Sequence, residues 1–306
     1  MTISVVIPYY NESDTLLLTL QSLKNQSLQP NEIIFIDSGS TDNSTSIIES
    51  FADNNKNYNI KSYKSGSMSP STSINLGVKT STSDIIAYTD CGLDIPNNWL
   101  ESNHNLMIKT KASIVSSKFF TKGKSIIDMS FVAHTYGCGS FSTVLPGSLI
   151  KKTIIEDIGY FLPGVRANYD VDFINKVTNL GIKRVVNESV TMKYIGIEYC
   201  VSFMSGFLKI SKYSENAWKV RNDFKPVLYL IGLIMIISSI YLDHIHTLLL
   251  TYFILRGFLL PLAKSSFGIM SNIPLLLTLP ITGAVIDISR VVGYLQLSKI
   301  LYRQTV

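Results

Sequence analysis

Carboxylates and small polar side chains recur directly after the β-branched runs in the first ninety residues. Asn11 and Glu12 follow one run, Asp37 and Ser38 follow the next, and Asp90 follows a later one. Carboxylates in such places can accept hydrogen bonds from the N–H groups of a base or from ribose hydroxyls, and they can hold a divalent cation against a diphosphate. These residue types therefore favour the binding of a nucleotide.

The elements that must position these residues alternate between strand and helix. Strands are predicted at Ile3 to Ile7, Ile33 to Ile36, Asn59 to Tyr63 and Ile85 to Tyr88, with apolar faces at helical spacing between them. This alternation predicts a parallel sheet with right-handed crossovers. Ligands of such sheets bind beyond the carboxyl ends of the strands, so we expect the polar residues at one edge of the sheet.

Several common signatures of function are missing from the sequence. There is no Gly-x-x-x-x-Gly-Lys-Ser/Thr loop and no Gly-x-Ser-x-Gly elbow, and the glycines at 137 and 139 lack the third glycine of a dinucleotide fingerprint. The three cysteines lie far apart, so neither a zinc ribbon nor a disulfide framework is indicated. A net charge of +5, without basic runs, argues against a nucleic-acid partner.

The hydrophobicity of the chain is concentrated after residue 225. Residues 226–306 carry five basic and two acidic side chains, and Val227 to Leu242 and His246 to Ala263 predict membrane spans. A third apolar stretch, Ile273 to Ile286, contains two prolines and a glycine, and it could be a third span, a re-entrant segment or an interfacial helix. The alternative is that all three are buried helices of a soluble core.

Basic residues flank the first predicted span on its N-terminal side. Lys219, Arg221 and Lys225 precede it, whereas Asp243 and His244 lie between the two spans. The positive-inside rule therefore predicts a multi-pass membrane protein whose large N-terminal part lies on the cytoplasmic face.

A short segment before the first span has an amphipathic pattern. Phe203, Met204, Phe207 and Leu208 recur at helical spacing among lysines. The pattern predicts a helix that lies on an anionic membrane surface, with a helix packed on the domain as the alternative.

Several motifs, taken in order, resemble the family 2 glycosyltransferases of GT-A fold. They are SVVIPYYNE at residues 4–12, IDSGSTD at 36–42, NLG at 75–77, DIIAYTD at 84–90, PNNWL at 96–100, LPGS at 145–148, NYDVDF at 168–173 and NLGI at 179–182. The resemblance covers about residues 3–190. It implies an α/β fold with a Rossmann-like, mostly parallel sheet flanked by helices, here followed by C-terminal transmembrane helices, and it implies nucleotide-sugar-dependent glycosyl transfer.

The resemblance also implies roles for individual residues. Asp170 takes the place of the family's general base, which accepts the proton of the acceptor hydroxyl in an inverting displacement. Asp90 would face the ribose and a Mg²⁺ or Mn²⁺ ion that stabilises the departing diphosphate. The other residues of the implied nucleotide-sugar pocket are Pro8, Tyr10, Asn11, Glu12, Asp37, Ser38, Lys64 and Asn75.

Three positions depart from the family pattern. The usual Asp-x-Asp reads DCG at residues 90–92, so Asp94 is the nearby carboxylate that could replace the missing metal ligand. Tyr169 stands where the family has a glutamate before the base. Ile74 stands where a basic residue often precedes the Asn-x-Gly, which leaves Lys64 as a substitute contact for a phosphate. Metal dependence is therefore left open.

The predicted chain has three parts: a GT-A-like domain at residues 1–200, an amphipathic interfacial segment at 201–225 and a membrane region at 226–306 with two or three transmembrane helices. The predicted function is transfer of a sugar from a nucleotide-sugar donor to a lipid-linked glycan or a cell-surface polysaccharide precursor. One alternative is a polyprenyl-phosphate sugar synthase. The other is a non-catalytic membrane scaffold, which the missing carboxylate at Gly92 favours.

Overall fold

The computed structural model describes residues 1–139, 141–142, 145–194, 200–215, 217–220, 225–241 and 245–296. Arg221 of the predicted basic flank, and Asp243 and His244 between the predicted spans, lie outside these residues. The chain divides into a sheet unit, Met1–Phe120 with Ser142–Ile195, and a helical unit, Thr121–Phe141 with Gly196–Val306. This division differs from the predicted one because residues 121–141 group with the C-terminal part.

The first half of the sheet is parallel. Its strands are β1 (Ile3–Tyr9), β2 (Glu32–Asp37), β3 (Ile60–Lys64) and β4 (Ile85–Tyr88), in the order β3-β2-β1-β4. They are connected by the helices α1 (Leu16–Lys24), α2 (Ser44–Asn54) and α3 (Pro70–Thr80). Strands covered by helices on both faces read as continuous apolar runs, which is why the sequence marked β1, β2 and β4. The edge strand β3 (IKSYK) is only partly buried and is not such a run. The predicted α/β fold is confirmed.

The second half of the sheet contains antiparallel strands, which the sequence pattern did not specify. β8 (Ser148–Lys151) pairs antiparallel with β4 and with β6 (Ile114–Thr121), and β9 (Arg184–Tyr194) pairs antiparallel with β5 (Leu93–Asp94). A short β7 (Phe141–Ser142) pairs with β6. The helices of this half are α4 (Trp99–Thr110), α6 (Lys152–Ile158) and α7 (Tyr169–Asn179).

Two apolar clusters pack against opposite faces of the sheet. Val5 and Ile7 belong to the cluster that includes Leu20 of α1, whereas Val6 belongs to the cluster with α3. The alternation follows from the two-residue period of a strand. At Gly77 of α3, an added Cβ would lie 2.3 Å from Val6 Cγ1, so α3 and β1 approach closely where glycine has no side chain.

The helical unit contains α5 (Ile126–Thr135), α8 (Phe203–Ser214), α9 (Lys225–Tyr241), α10 (Ile245–Ile254), α11 (Leu260–Lys264) and α12 (Ile273–Tyr294). A π-helical turn, Leu255–Leu259, joins α10 to α11. Short 3₁₀ turns occur at Ala217–Lys219 and Phe267–Ile269. Among the described residues, Ile245–Lys264 and Ile273–Tyr294 are long and apolar enough to cross a membrane, with mean hydropathies of 1.6 and 1.7.

Candidate active site

The loops that follow β1 and β2 bind each other at the carboxyl edge of the sheet. Asn11 has a φ of 54°; its backbone N–H donates to Ser40 Oγ (3.0 Å), and its Oδ1 accepts from the Thr41 N–H (2.8 Å). The Glu12 N–H donates to Ser44 Oγ (2.8 Å). Asparagine tolerates the left-handed region better than most residues, which explains this residue type at position 11. The predicted polar edge is therefore built as one hydrogen-bonded loop pair.

Asp42 has a structural role in this loop pair. Its carboxylate accepts from the backbone N–H groups of Ser13 and Ser44, both at 3.0 Å, and from the Ser44 hydroxyl at 2.6 Å. Although desolvation raises the pKa of Asp42, these hydrogen bonds outweigh it and lower the pKa to about 2. Asp42 thus holds the two loops together.

Asp37 is a buried carboxylate at the end of β2. Its Oδ1 accepts from the N–H groups of Gly39 (3.1 Å) and Ser40 (2.8 Å), and its Oδ2 accepts from Thr45 Oγ1 at 3.4 Å. The exposed Lys64 ends β3 directly beside it, in register with Asp37. A carboxylate has about four acceptor positions, so the three bonds leave capacity for a donor group of a ligand.

Four other predicted pocket residues are placed as follows. Pro8 is half-buried in β1 in register with Ile36, and Tyr10 follows the strand with 49% of its surface exposed. Ser38 is buried with its hydroxyl 2.9 Å from that of Ser73.

The fourth, Asn75, is buried and its amide bonds the Phe161 backbone twice, donating to its carbonyl at 2.7 Å and accepting from its N–H at 3.0 Å. This pair joins α3 to the segment that precedes α7. The amide of Asn75 thus has a structural role, and its contact with a ligand stays a prediction.

Three carboxylates from distant parts of the chain act on each other at this edge. The Tyr88 hydroxyl donates to Asp90 Oδ1 (2.7 Å) and lies 3.0 Å from the Tyr169 hydroxyl. Desolvation raises the pKa of Asp90 most; the Tyr88 hydrogen bond opposes this, the negative charges of Glu12 and Asp170 add to it, and the resulting pKa is about 6. The contact between Tyr88 and Tyr169 therefore brings the end of β4 and the start of α7 together, and the charge of Glu12, in the loop after β1, acts on the same carboxylate.

Asp170 lies in the first turn of α7, where a carboxylate interacts favourably with the helix dipole. The N-cap residue Asn168 has a φ of 64° and turns the chain into the helix. The neighbouring Asp172 is buried and forms an ion pair with Lys176 at 2.9 Å. Asp170 is half-buried, and its negative charge contributes to the raised pKa of Asp90.

The surroundings of Asp90 suit a hard cation better than those of Asp94. Mg²⁺ and Mn²⁺ prefer oxygen ligands and negative charge, and the charges of Glu12 and Asp170 both act on the Asp90 carboxylate. Asp94 is in register with Lys193, and their charged atoms lie 4.0 Å apart. Desolvation and the charges of Glu12 and Asp90 raise the pKa of Cys91 well above its ordinary value, so its thiol stays protonated. Within the described ranges, no group of three or more His, Cys, Asp or Glu side chains is arranged around a metal position.

The LPGS segment is held beside Tyr88 by a buried set of hydrogen bonds. The Gly147 N–H donates to the Tyr88 carbonyl (2.7 Å), and the Gly147 carbonyl accepts from Trp99 Nε1 (2.9 Å), Ser117 Oγ (2.8 Å) and Asn103 Nδ2 (3.3 Å). Gly147 has a φ of 82°, which favours glycine. The sequence marked this segment and, separately, Trp99 within PNNWL, but it neither paired the two nor marked Asn103 and Ser117.

Comparisons with known proteins agree with this architecture. A family model described as Glycosyl transferase family 2 matches residues 4–164. The cholesterol galactosyltransferase of Borreliella burgdorferi is 32% identical over 118 residues, which are 39% of this chain and 32% of the relative. The minor teichoic acid biosynthesis protein GgaA of Bacillus subtilis is 36% identical over 104 residues, 32% of this chain and 23% of the relative. The matched segments thus span about a third or less of these two proteins.

Two solved structures share the fold over nearly the whole chain. The mannosyltransferase PcManGT from Pyrobaculum calidifontis, in complex with GDP-Man and Mn²⁺, has a TM-score of 0.57 at 17% identity, covering 96% of this chain and 86% of that one. S. aureus TarS 1-349 in complex with UDP-GlcNAc has a TM-score of 0.51 at 16% identity, covering 100% and 92%. At these identities the likeness concerns the fold.

Proposed function

Because the chain belongs to glycosyl transferase family 2, we propose that it is an inverting glycosyltransferase that moves a sugar from a nucleotide-sugar donor to a lipid-linked glycan or a cell-surface polysaccharide precursor. The observation that carries this proposal is that the Tyr88 hydroxyl, at the carboxyl edge of the sheet, contacts both Asp90 and Tyr169, the residue before Asp170. The GDP-Man and UDP-GlcNAc complexes of the solved relatives support a nucleotide-sugar donor. The relatives named for teichoic acid synthesis and cholesterol galactosylation support an acceptor at the cell envelope.

The loops after β1 and β2 bind the nucleotide in this mechanism. Asp37 accepts from an N–H group of the base, and Asn11 and Glu12 hold the adjoining loop in place. Lys64, exposed at the same edge, contacts a phosphate. Rigid loops of this kind lower the entropic cost of binding the donor in one orientation.

Asp170 acts as the general base. It accepts the proton of the acceptor hydroxyl while the acceptor oxygen attacks the anomeric carbon on the face opposite to the departing nucleoside diphosphate, and this displacement inverts the configuration. The Tyr88 hydroxyl contacts both Asp90 and Tyr169, the residue before Asp170, and so keeps the base close to the donor side of the site.

Asp90 is the residue that would hold a Mg²⁺ or Mn²⁺ ion. When bound, the cation would act as a Lewis acid and neutralise the charge that develops on the diphosphate. The negative charge that surrounds Asp90 supports this assignment. Asp94, beside Lys193, would contribute only if that ion pair opened.

The helical unit attaches the enzyme to the membrane, with the sheet unit on the cytoplasmic side. Its two long apolar helices and the lysines at 219 and 225 support this location. Attachment would bring the enzyme to the surface at which an acceptor carried by a lipid is found.

The decisive variant is Asp170→Asn, which keeps the size of the side chain and removes the base. General-base catalysis contributes roughly 100- to 10,000-fold, so we expect transfer from UDP-, GDP- or dTDP-sugars to fall by at least about 100-fold. Donor binding, measured as a thermal shift in detergent, should be retained. Asp157→Asn, an exposed position on α6, is the matched control and should leave both values unchanged.

Retention of activity by Asp170→Asn would refute the base assignment. Assays with polyprenyl phosphate as the sole acceptor separate the two kinds of acceptor, since a lipid phosphate is already ionised and needs no strong base. If no donor raises the melting temperature of the wild-type protein and no sugar is transferred, the result would instead support the alternative of a non-catalytic membrane scaffold.

A further inference from the structure

The helix α12 is covered along one face by α5. Val132 and Ala133 of α5 lie in one buried apolar cluster with Leu275 and Leu279 of α12. The hydroxyl of Ser130 lies 2.6 Å from that of Thr282. These contacts join the two helices over the first half of α12.

The helix α8 packs against the second half of α12. Ile210 of α8 shares a buried cluster with Phe131 and Ile286. At Gly293, an added Cβ would lie 2.2 Å from the Ser211 carbonyl oxygen, so the two backbones are in close contact. From Leu275 to Gly293, contacts with α5 and α8 extend over about 27 Å at 1.5 Å per residue.

Neither covering helix can itself cross a bilayer. α5 has 10 residues and α8 has 12, whereas a span needs about 20. The 26 residues between Thr121 at the end of β6 and Ser148 at the start of β8 must leave the sheet and return to it, and two crossings would need about 40. α5 therefore stays on the side of the membrane where the sheet is.

The opposite face of α12 is an apolar stripe. Ile273, Leu277, Ile281 and Ile288 recur at helical spacing and are 68%, 70%, 54% and 58% exposed. A stripe of this kind, on a helix whose other face is packed against protein, is typical of a helix that lies in a membrane interface.

A cluster of hydrogen-bonded polar side chains connects Asp287 of α12 to the neighbouring helices of the helical unit. Asp287 accepts from Arg256 twice (2.8 and 2.9 Å), from Tyr229 (3.0 Å) and from Tyr252 (2.9 Å), and Arg256 Nη1 lies 2.6 Å from His134 Nδ1 of α5. Ionised groups near the bilayer centre are costly, and a position at the headgroup level removes most of that cost.

The charge of the helical unit indicates which lipids would bind it. Its described residues include nine lysines and arginines against three aspartates and glutamates. Basic side chains beside an interfacial helix are attracted to anionic headgroups.

We propose that α12 does not cross the bilayer but lies in the plane of the leaflet on the side of the sheet unit, with its apolar stripe among the acyl chains of anionic lipids. This inference rests on the membrane attachment proposed above. Because length and hydropathy alone would allow α12 to be a span, it is the packing on α5 and α8 that argues for the interface. Gln296, exposed just after α12, then lies on the same side of the membrane as the sheet unit.

The side of residue 296 is tested by cysteine accessibility in the full chain. Ser271→Cys and Gln296→Cys, exposed positions before and after α12, are compared with Lys109→Cys, an exposed position on α4 of the sheet unit. Inside-out and right-side-out vesicles are first treated with a membrane-impermeant maleimide. The protein is then denatured, and the cysteines that were not blocked are counted with a mass-tagged maleimide. The wild-type protein, with its three buried native cysteines, gives the background.

We expect the thiols introduced by Ser271→Cys, Gln296→Cys and Lys109→Cys to be blocked in the same vesicle type and protected in the other. Blocking of the Ser271→Cys and Gln296→Cys thiols in opposite vesicle types would show that α12 crosses the bilayer and would overturn the proposal. Blocking of both in the vesicle type opposite to that of Lys109→Cys would place α12 on the other side of the membrane and would also overturn it. Resistance of the Gln296→Cys thiol in both types would also contradict it, since residue 296 is placed at the aqueous surface. Sedimentation of the protein with the vesicles and sugar transfer are measured in parallel, so that loss of attachment or of activity is distinguished from a wrong orientation of α12.

Discussion

Asp90 has an environment that weakens the fold at neutral pH. Its pKa of about 6 lies above the value of 3.8 expected for an exposed aspartate, so the folded state binds the proton more strongly than the unfolded state does. The stabilisation from protonation is fully present below about pH 4, and it is lost as the pH rises through 6. An ionised Asp90 is therefore maintained at the expense of stability, as is common for ligand-binding carboxylates.

Asp90→Asn should raise the melting temperature of the ligand-free protein at pH 7.5, because the neutral amide removes the partly buried negative charge. A gain of roughly 2–6 °C is expected, corresponding to one or two kcal/mol in a chain of this size. The gain should vanish near pH 4, and the variant should no longer be stabilised by donor with Mn²⁺. Thermal unfolding between pH 4 and 8, with Asp157→Asn as the control, measures this; an equal gain at both ends of the range would contradict it.

Tyr88→Phe removes a hydroxyl that contacts both Asp90 and Tyr169. A hydrogen bond to a charged group contributes about 1.5–3 kcal/mol, so we expect kcat/KM to fall roughly 10- to 100-fold. Tyr169→Phe is the matched control, since it leaves the bond to Asp90 intact and should have a smaller effect. Equal losses of kcat/KM in the two variants would show that the hydrogen bond between Tyr88 and Asp90 does not contribute to catalysis.

Sequence patterns marked the acidic residues of the candidate site but not the contact between the hydroxyls of Tyr88 and Tyr169. Asp37 and Asp90 follow strands and Asp170 opens a helix, so periodicity and motif were enough to mark them. Tyr88 was marked only as the last residue of a strand and as part of DIIAYTD, and Tyr169 only as a departure from the family pattern. Its partner Tyr169 lies 81 positions away, and only the folded chain brings the two rings together.

At the scale of elements, the close approach of α3 to β1 explains the glycine of the NLG motif. Gly77→Ala would place a Cβ against Val6 Cγ1, and overpacking of a well-packed core costs about 1–3 kcal/mol. We expect that loss of unfolding free energy in chemical denaturation. Val6→Ala in the same chain makes room for the methyl group, so the double variant should lose less than the two single losses added together; simple additivity would refute the packing explanation.

Glu32 joins four segments of the parallel half of the sheet. This buried carboxylate accepts from Ser4 Oγ (2.5 Å), Lys61 Nζ (2.5 Å), the Thr82 N–H (2.7 Å) and Thr82 Oγ1 (3.1 Å). Burial raises its pKa, but the hydrogen bonds from Lys61, Ser4 and Thr82 outweigh burial and lower the pKa to about 2. Its contribution is therefore present above about pH 4.5 and is lost as the pH falls through 2.

Glu32→Gln should lower the unfolding free energy at pH 7 by about 2–4 kcal/mol, because it leaves Lys61 without its carboxylate. The difference from wild type should shrink as the pH is lowered from 4.5 towards 2. Denaturant titrations at pH 7 and pH 3 measure both values. A difference that does not change with pH would mean that the charge of Glu32 contributes nothing.

The parallel strands were predictable from sequence and the antiparallel ones were not. Continuous apolar runs such as Ile33 to Ile36 identify strands buried on both faces. The polar residues in β6 and β9 break that pattern, and periodicity does not state which strand pairs with which. The pairing of β8 with both β4 and β6 is thus a property of the tertiary fold.

At the scale of the whole molecule, α5 belongs to the helical unit although it lies between two strands of the sheet in sequence. The predicted boundary at residue 200 would leave Phe131 and Val132 without the partners that bury them. A chain that ends at residue 200 should therefore self-associate unless detergent is present. Size-exclusion chromatography tests this: Phe131→Ser with Val132→Asn should restore a monomer, and a monomeric truncated chain without these changes would contradict the expectation.

The position of α5 also has a consequence for biosynthesis. The ribosome releases α5 roughly 140 residues before it has completed the first turn of α12. At about 5–20 residues per second, that interval lasts about 7 to 28 seconds. During this time the nascent polypeptide displays apolar side chains whose final neighbours have not been translated, so a holding chaperone or early contact with lipid must shield them until the last helix emerges.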